Sequence, residues 1–334
     1  MTSTAFEQTA QDANQSLLPS LSADDMRTLR KRSNVMGAYL VLHAWGLIGG
    51  AMALCVVWPH PVSFLLAFVV IGNRQLGLAI LMHDAAHRLL FENPTLNDRV
   101  GHWLCGAPIG ASLKLYRPYH LSHHRHTQQE QDPDLMLSAP FPITTRSLRR
   151  KVMRDLLGIT GYQRRAAQFR AAMGDSTGLP NRLSALWNAE KSFFISNIVL
   201  CAVLTWMGVW WVYPVLWVLP MLTWYQLISR LRNIAEHAVV GPADDPLRNT
   251  RTTYAGPLMR LILAPYWVNY HLEHHLFAYT PCWKLARAHR MLRAQGLLDR
   301  MEVARNYLDV LRKATSATPG SDSRGPRRSP ASHI

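Results

Sequence analysis

The chain has 334 residues, enough for two domains or for one membrane body with a cap. Hydrophobic residues make up 49% of it and charged residues only 17%, below the about 25% of soluble proteins. Its net charge of +15 comes with no RNA- or DNA-binding signature, which excludes nucleic acid as a partner and points to a basic membrane-facing side.

Residues 1–34 read as a polar N-terminal arm ending in Arg27, Arg30, Lys31 and Arg32. No cleavable signal peptide is expected, because the first apolar run starts only near Val35. That run continues to Trp58 and exceeds the roughly 20 residues needed to cross a bilayer. A second runs from Val62 to Met82 and carries Asn73, Arg74 and Gln75, with Arg74 read as a snorkelling or paired structural arginine. Val100–Leu115 is too short to span and is taken as interfacial or re-entrant. The basic stretch Arg146–Arg170 and a Gly/Pro-marked loop near Gly174–Pro180 precede two more runs, Ser192–Tyr213 and Pro214–Ile228. Trp206, Trp210, Trp211, Tyr213 and Trp217 gather at their junction, as aromatic side chains do at a bilayer surface. Pro257–Trp267 reads as an amphipathic interfacial helix, and residues 283–313 as two cationic helices broken at Gly296. Residues 314–334 form a Ser/Pro/Gly/Arg-rich tail, expected to be disordered.

Lysines and arginines number four in 1–36, one in 37–82, 15 in 83–191, none in 192–229 and 16 in 230–334. The two short connections between paired runs lack them, which places both termini and the intervening polar segments in the cytoplasm. The expected fold is an all-α membrane protein: four transmembrane helices in two hairpins, with a cytoplasmic helical cap holding a di-metal site.

Histidines carry the chemistry. His83 and His87 stand as HDAAH, His120, His123 and His124 as HLSHH, and His271, His274 and His275 as HLEHH. Positions i, i+3 and i+4 share one helical face, so each cluster can aim its rings at one point. Asn233 and His237 lie one turn apart in NIAEH. Imidazole suits iron, copper, zinc and nickel, and nine rings exceed what one tetrahedral ion can use, so two metals are expected. Cys55, Cys105, Cys201 and Cys282 are too dispersed for a disulfide framework or a thiolate site.

HDAAH, HLSHH, NIAEH and NYHLEHH, in that order and between four apolar runs, resemble the membrane fatty acid desaturase superfamily over roughly Arg30–Trp283. The resemblance implies two iron ions, with dioxygen as co-substrate, in a desaturase-like membrane domain over residues 35–313. Carried over, the ligands are His83, His87, His120, His123, His124, His237, His271, His274 and His275, with Asn233 acting through a water. It further implies an integral protein, expected in a bacterial inner membrane, that inserts a double bond into a fatty acyl or lipid chain. Three residues separate the histidines of the first box where animal acyl-CoA desaturases have four, and His271 stands where front-end desaturases carry Gln. There is no His-Pro-Gly-Gly haem sequence, so a separate ferredoxin-type donor with its reductase is expected. HHRHTQQEQDPDL and YHLEHHL are also similar to bacterial carotenoid ketolases, which keeps a hydroxylase or ketolase of a lipid or carotenoid-like hydrocarbon as the alternative.

Asp84, Glu236 and Glu273, inside the boxes, and Asp132 and Asp134 nearby are candidates to accept the second ring N–H of ligating histidines. His43, His60, His102, His289 and His333 read as structural or exposed, and His126 falls off the shared face. A metal transporter is the reading from another class; it would place ionisable groups along mid-membrane, where only Asn73–Gln75 interrupt these runs.

Overall fold

The computed structural model describes residues 21–175 and 177–318 and is built almost wholly of helices. Three helices are long and apolar enough to cross a membrane: α2 (Asn34–Val57), α3 (Pro61–Ala86) and α8 (Leu179–Trp206), the last starting earlier than its hydropathy suggests. The described end of the polar arm is helical too. Ser22 caps α1 (Ala23–Arg30), whose Leu29 is fully buried.

Ser33 starts α2 by accepting from the Met36 N–H at 3.2 Å. His60 and Pro61 start α3, the His60 Nδ1 accepting from the Val62 N–H at 3.2 Å. The turn between them is tight, and the two helices pack side by side. Their surfaces differ. α2 exposes Val35, Leu42 and Val57, an apolar face suited to lipid, whereas α3 is buried almost continuously from Val70 to Ala86. That makes α3 the central post of the molecule.

After α3, a short helix α4 (Pro94–Val100) leads into a π-helical turn (Gly101–Gly106) and a 3-10 turn (Ala107–Ile109) that reverse at Gly110. These turns fall within Val100–Leu115, the stretch too short to span. A Cβ on Gly101 would come within 2.3 Å of the Ala85 Cβ, so glycine is what lets the piece lie against the end of α3. Helix α5 (Leu113–Arg125) follows, then α6 (Thr145–Leu156) and α7 (Ile159–Met173).

The fourth apolar run is not one helix. It forms a π-helical turn (Tyr213–Val218), a single α turn (Leu219–Leu222) and, past a kink at Thr223, helix α9 (Trp224–His237). Pro214 and Pro220 each remove a backbone donor, and Gly161 of α7 packs where the Leu222 carbonyl turns out of the broken ladder. The expected interfacial helix is likewise cut short: α10 covers only Pro257–Ile262, because Pro265 and the left-handed Tyr266 (φ 50°) and Trp267 (φ 57°) end it.

Helix α11 (His271–Leu276) carries the third box; α12 (Leu285–Ala294) and α13 (Tyr307–Ala314) flank Gly296 as expected. One small departure from an all-helical chain is a parallel two-residue ladder, β1 (Thr252–Thr253) on β2 (Val303–Ala304). Leu29, Leu247, Leu272, Phe277 and Leu292 form a second, smaller apolar cluster around α11 and α12. The N-terminal residues 1–20, most of the C-terminal tail and His333 lie outside the described residues.

Candidate metal centre

Four helices bring the boxes together. α3 ends on His83 and is capped by His87, α5 holds His120, His123 and His124, α9 ends on His237, and α11 supplies His271, His274 and His275. The rings gather in two sets. His83, His87, His120, His124 and His274 each offer a donor nitrogen within 4.8 Å of the others; so do His123, His237, His271 and His275. The sets touch, because the His124 ring stacks on His275 with centroids 4.1 Å apart.

The donor spacing tests whether an ion fits. Nε2 pairs lie 2.9 Å apart for His120–His124, 2.9 Å for His124–His274, 2.8 Å for His237–His271 and 3.1 Å for His271–His275. Around an ion at about 2.1 Å, donors at right angles stand about 3.0 Å apart and tetrahedral ones about 3.4 Å. The observed spacing fits right-angled coordination, as in five- or six-ligand sites. The Nε2 atoms of His83 and His87 are buried with no hydrogen-bond partner, which a bound cation would supply.

The electrostatics agree. Burial, reinforced by the neighbouring rings, holds His120, His124, His271, His274 and His275 well below the usual imidazole value, and His87 falls to about 4. Neutral rings keep a lone pair free for a metal.

Around the rings, Asp132 meets the expectation most directly: its Oδ1 lies 2.7 Å from the His123 Nδ1. Asp134 bonds the Tyr119 hydroxyl instead and stays 3.9 Å from the same nitrogen. Asp84 and Glu236 each stop 3.6 Å short, of His83 Nδ1 and His271 Nε2 respectively. The other oxygen of each is engaged, Asp84 Oδ2 by the Cys282 N–H at 3.0 Å and Glu236 Oε1 by the Arg232 Nε at 2.7 Å. Burial pushes the Glu236 carboxyl up to about 7 against the pull of Arg232. Glu273 turns away from the boxes: it takes the Thr252 hydroxyl and the His289 Nδ1, at 2.6 Å. Asn233 sits half-buried on α9, one turn before His237. His126 joins neither set.

Other residues that hold the site carry no histidine signature. Arg117 donates from Nε to the Ala86 carbonyl at 2.9 Å and from Nη2 to the Ala85 carbonyl at 3.0 Å, which also accepts from the Arg88 N–H, and so ties down the last carbonyls of α3. Buried Asn97 adds a further bond to the Ala85 carbonyl at 2.9 Å. Arg251, fully buried, does the same for α9 through the Val239 and Ala235 carbonyls, its charge met by Glu302 at 3.1 Å. Thr127 places its hydroxyl 3.1 Å from the His275 Nδ1, and Gln128 donates to the His237 carbonyl at 2.9 Å.

The sequence is similar to known proteins. Residues 56–305 match the model of the fatty acid desaturase family. The dihydrorhizobitoxine desaturase of Bradyrhizobium elkanii is 29% identical over 77% of this chain and 75% of its own length. A beta-carotene ketolase of Paracoccus sp. is 24% identical over 81% and 96%, and the beta-carotene 4-ketolase of Protosiphon botryoides 25% identical over 68% and 51%. Histidine sets able to hold metal, long apolar helices and the extent of the match make this chain an integral membrane oxidoreductase that belongs to the fatty acid desaturase family.

Proposed function

We propose that the protein is a dioxygen-dependent di-iron desaturase that introduces a double bond into a fatty acyl or lipid chain. The observation that carries this reading is the pairing of two all-histidine donor sets, touching through His124 and His275, at the ends of membrane helices. An unactivated methylene has no acidic proton for a general base to take, so the reaction needs an oxidant that side chains cannot provide. The chemistry supplied once iron is bound is oxidation of a C–H bond at the expense of dioxygen and two electrons.

This chain's own part is ligation, positioning and exclusion of water. His83, His87, His120, His124 and His274 hold one iron; His123, His237, His271 and His275 hold the other, with Asn233 placed to act through a water. Asp132 fixes the ring orientation of His123 and Thr127 that of His275. The broken segment Tyr213–Ile228 makes the fourth crossing beside α2, α3 and α8, and the boxes face the cytoplasm as a helical cap. Residues 35–313 form the catalytic body, against which Leu29 of α1 packs. Electrons arrive from a separate ferredoxin-type protein and its reductase.

The ketolase relatives favour a second reading, hydroxylation or ketolation of a carotenoid-like hydrocarbon at the same centre. Both routes begin by removing hydrogen and differ in whether oxygen returns to the carbon. Iron analysis of the purified protein, with the mass of lipid products from cells expressing it, tests both. About two irons per chain and a loss of two hydrogens support the desaturase. A gain of oxygen supports the ketolase, and protein that binds no iron overturns both.

A further inference from the structure

A cavity of about 290 Å³ lies between α2, α3 and the α10 segment, lined by Leu40, His43, Leu47, Arg74, Arg260 and Tyr266 among others. Exposed Tyr39 and Leu261 form its rim. Its walls are mostly apolar, with His43, Tyr39 and Tyr266 as neutral polar groups and Arg74 and Arg260 as the charged ones. Arg74 is only 3% exposed, yet no carboxylate among the described residues lies within ion-pairing distance of it or of Arg260. Asn73 accepts from the Arg74 guanidinium, and the Tyr266 ring lies under it with the centroid 5.1 Å away, but neither partner carries a negative charge. The Nε of Arg260 is buried with no partner at all. Buried charge without a counter-charge is costly, and a cavity that leaves it so is built to receive an anion.

Tyr266, which lines this cavity, also lines a cleft of about 10 Å³ beside Ile80, Val268, His83, Asp84, His271 and His274. Tyr266 is seated in a special way. Its backbone is left-handed, its hydroxyl donates to the Leu40 carbonyl at 3.3 Å, and its ring fills the space over Gly77, where a Cβ would come within 2.7 Å. Along α3 the rise from Arg74 to His83 is about 13 Å, the reach of a medium-length hydrocarbon chain.

We propose that this cavity binds the carboxylate end of the substrate, held by Arg74 with Arg260 at its side. The substrate class is then a carboxylic acid with a free, charged end. The cavity sits at the lower end of the about 300–1,000 Å³ of ligand pockets, too small for a nucleotide-bearing carrier, and an uncharged carotene would leave both guanidiniums unmatched. This inference rests on the desaturase reading for the role of the irons but not for the binding itself.

The test is equilibrium binding of radiolabelled decanoate to the iron-loaded protein in nanodiscs, with decan-1-ol and a short-chain phosphatidic acid as competitors. Decanoate should bind about 30-fold more tightly than decan-1-ol, the loss expected when a buried charge goes unmatched. Arg74→Gln should weaken decanoate by a similar factor while leaving iron content and decan-1-ol binding unchanged. Equal affinity for acid and alcohol in the wild-type protein, or full decanoate binding by Arg74→Gln, overturns the proposal. Tighter binding of phosphatidic acid than of decanoate overturns it too, by giving the cavity to a lipid headgroup. Should Arg74→Gln fail to load iron, Arg260→Gln and the wild-type acid-against-alcohol comparison still decide. A wild-type protein that prefers decanoate but holds no iron keeps the cavity and loses the desaturase; two irons with no preference for the acid does the reverse.

Discussion

The two histidine sets are held by different means. In the set built on His83 and His87, no carboxylate among the described residues lies within hydrogen-bond distance of a ring; Asp84 comes nearest, at 3.6 Å. These rings depend on the backbone, because Arg117 and Asn97 pin the carbonyls where α3 ends. In the set built on His123 and His271 the rings themselves are gripped, His123 by Asp132 and His275 by Thr127. One ion position is thus placed by where a helix stops, and the other by bonds to its ligands. Disturbing the first should show in folding as much as in metal content, and disturbing the second chiefly in metal content.

The largest effect should come from the ligands. His87→Ala or His271→Ala should reduce iron, measured by mass spectrometry, from about two per chain toward one or none. Product formation should fall beyond the about 100-fold that bounds the loss of an outer partner. Asp132→Asn should follow, weakening iron at the second set by about 10- to 100-fold while thermal unfolding of the apoprotein barely moves. Arg117→Leu breaks the comparison from the other side. With the Ala86 carbonyl and the Asp98 carboxylate losing Arg117, and the Ala85 carbonyl left to Asn97 and the Arg88 N–H, it should cost about 1–3 kcal/mol of stability in a thermal melt. Iron should then be lost first from the set that includes His83. A variant that loses affinity at the second set instead would refute this division of labour. Thr127→Val should be mildest, about 1 kcal/mol or less, with a several-fold weaker second site.

Much of this was legible in the chain. All nine histidines fall in the two sets, but each His-x-x-His-His box divides between them, His123 parting from His120 and His124, and His274 from His271 and His275, because i and i+4 line up while i+3 is turned toward the neighbouring position. Two of the four apolar runs became spans near their expected limits, and the break at Gly296 appeared because a left-handed residue ends a helix wherever it stands. The fourth run misled because hydropathy counts apolar residues and is blind to Pro214, Pro220 and the wedge of Gly161. The partners of the boxes were harder still. Glu273 looked like a box carboxylate, but it is claimed by His289 on the next helix, which spacing cannot reveal. Asp132 was visible as a candidate; Arg117, Asn97 and Arg251 were not, because a side chain that caps a distant helix leaves no local pattern.

The contact between His124 and His275 makes the two halves of the centre answer to each other. Filling one position fixes a ring that forms part of the wall of the other, so uptake of the second ion begins from a partly ordered cage. Iron titrated into apoprotein should therefore bind along a curve steeper than two independent sites give, and chains carrying a single ion should be scarce at half saturation.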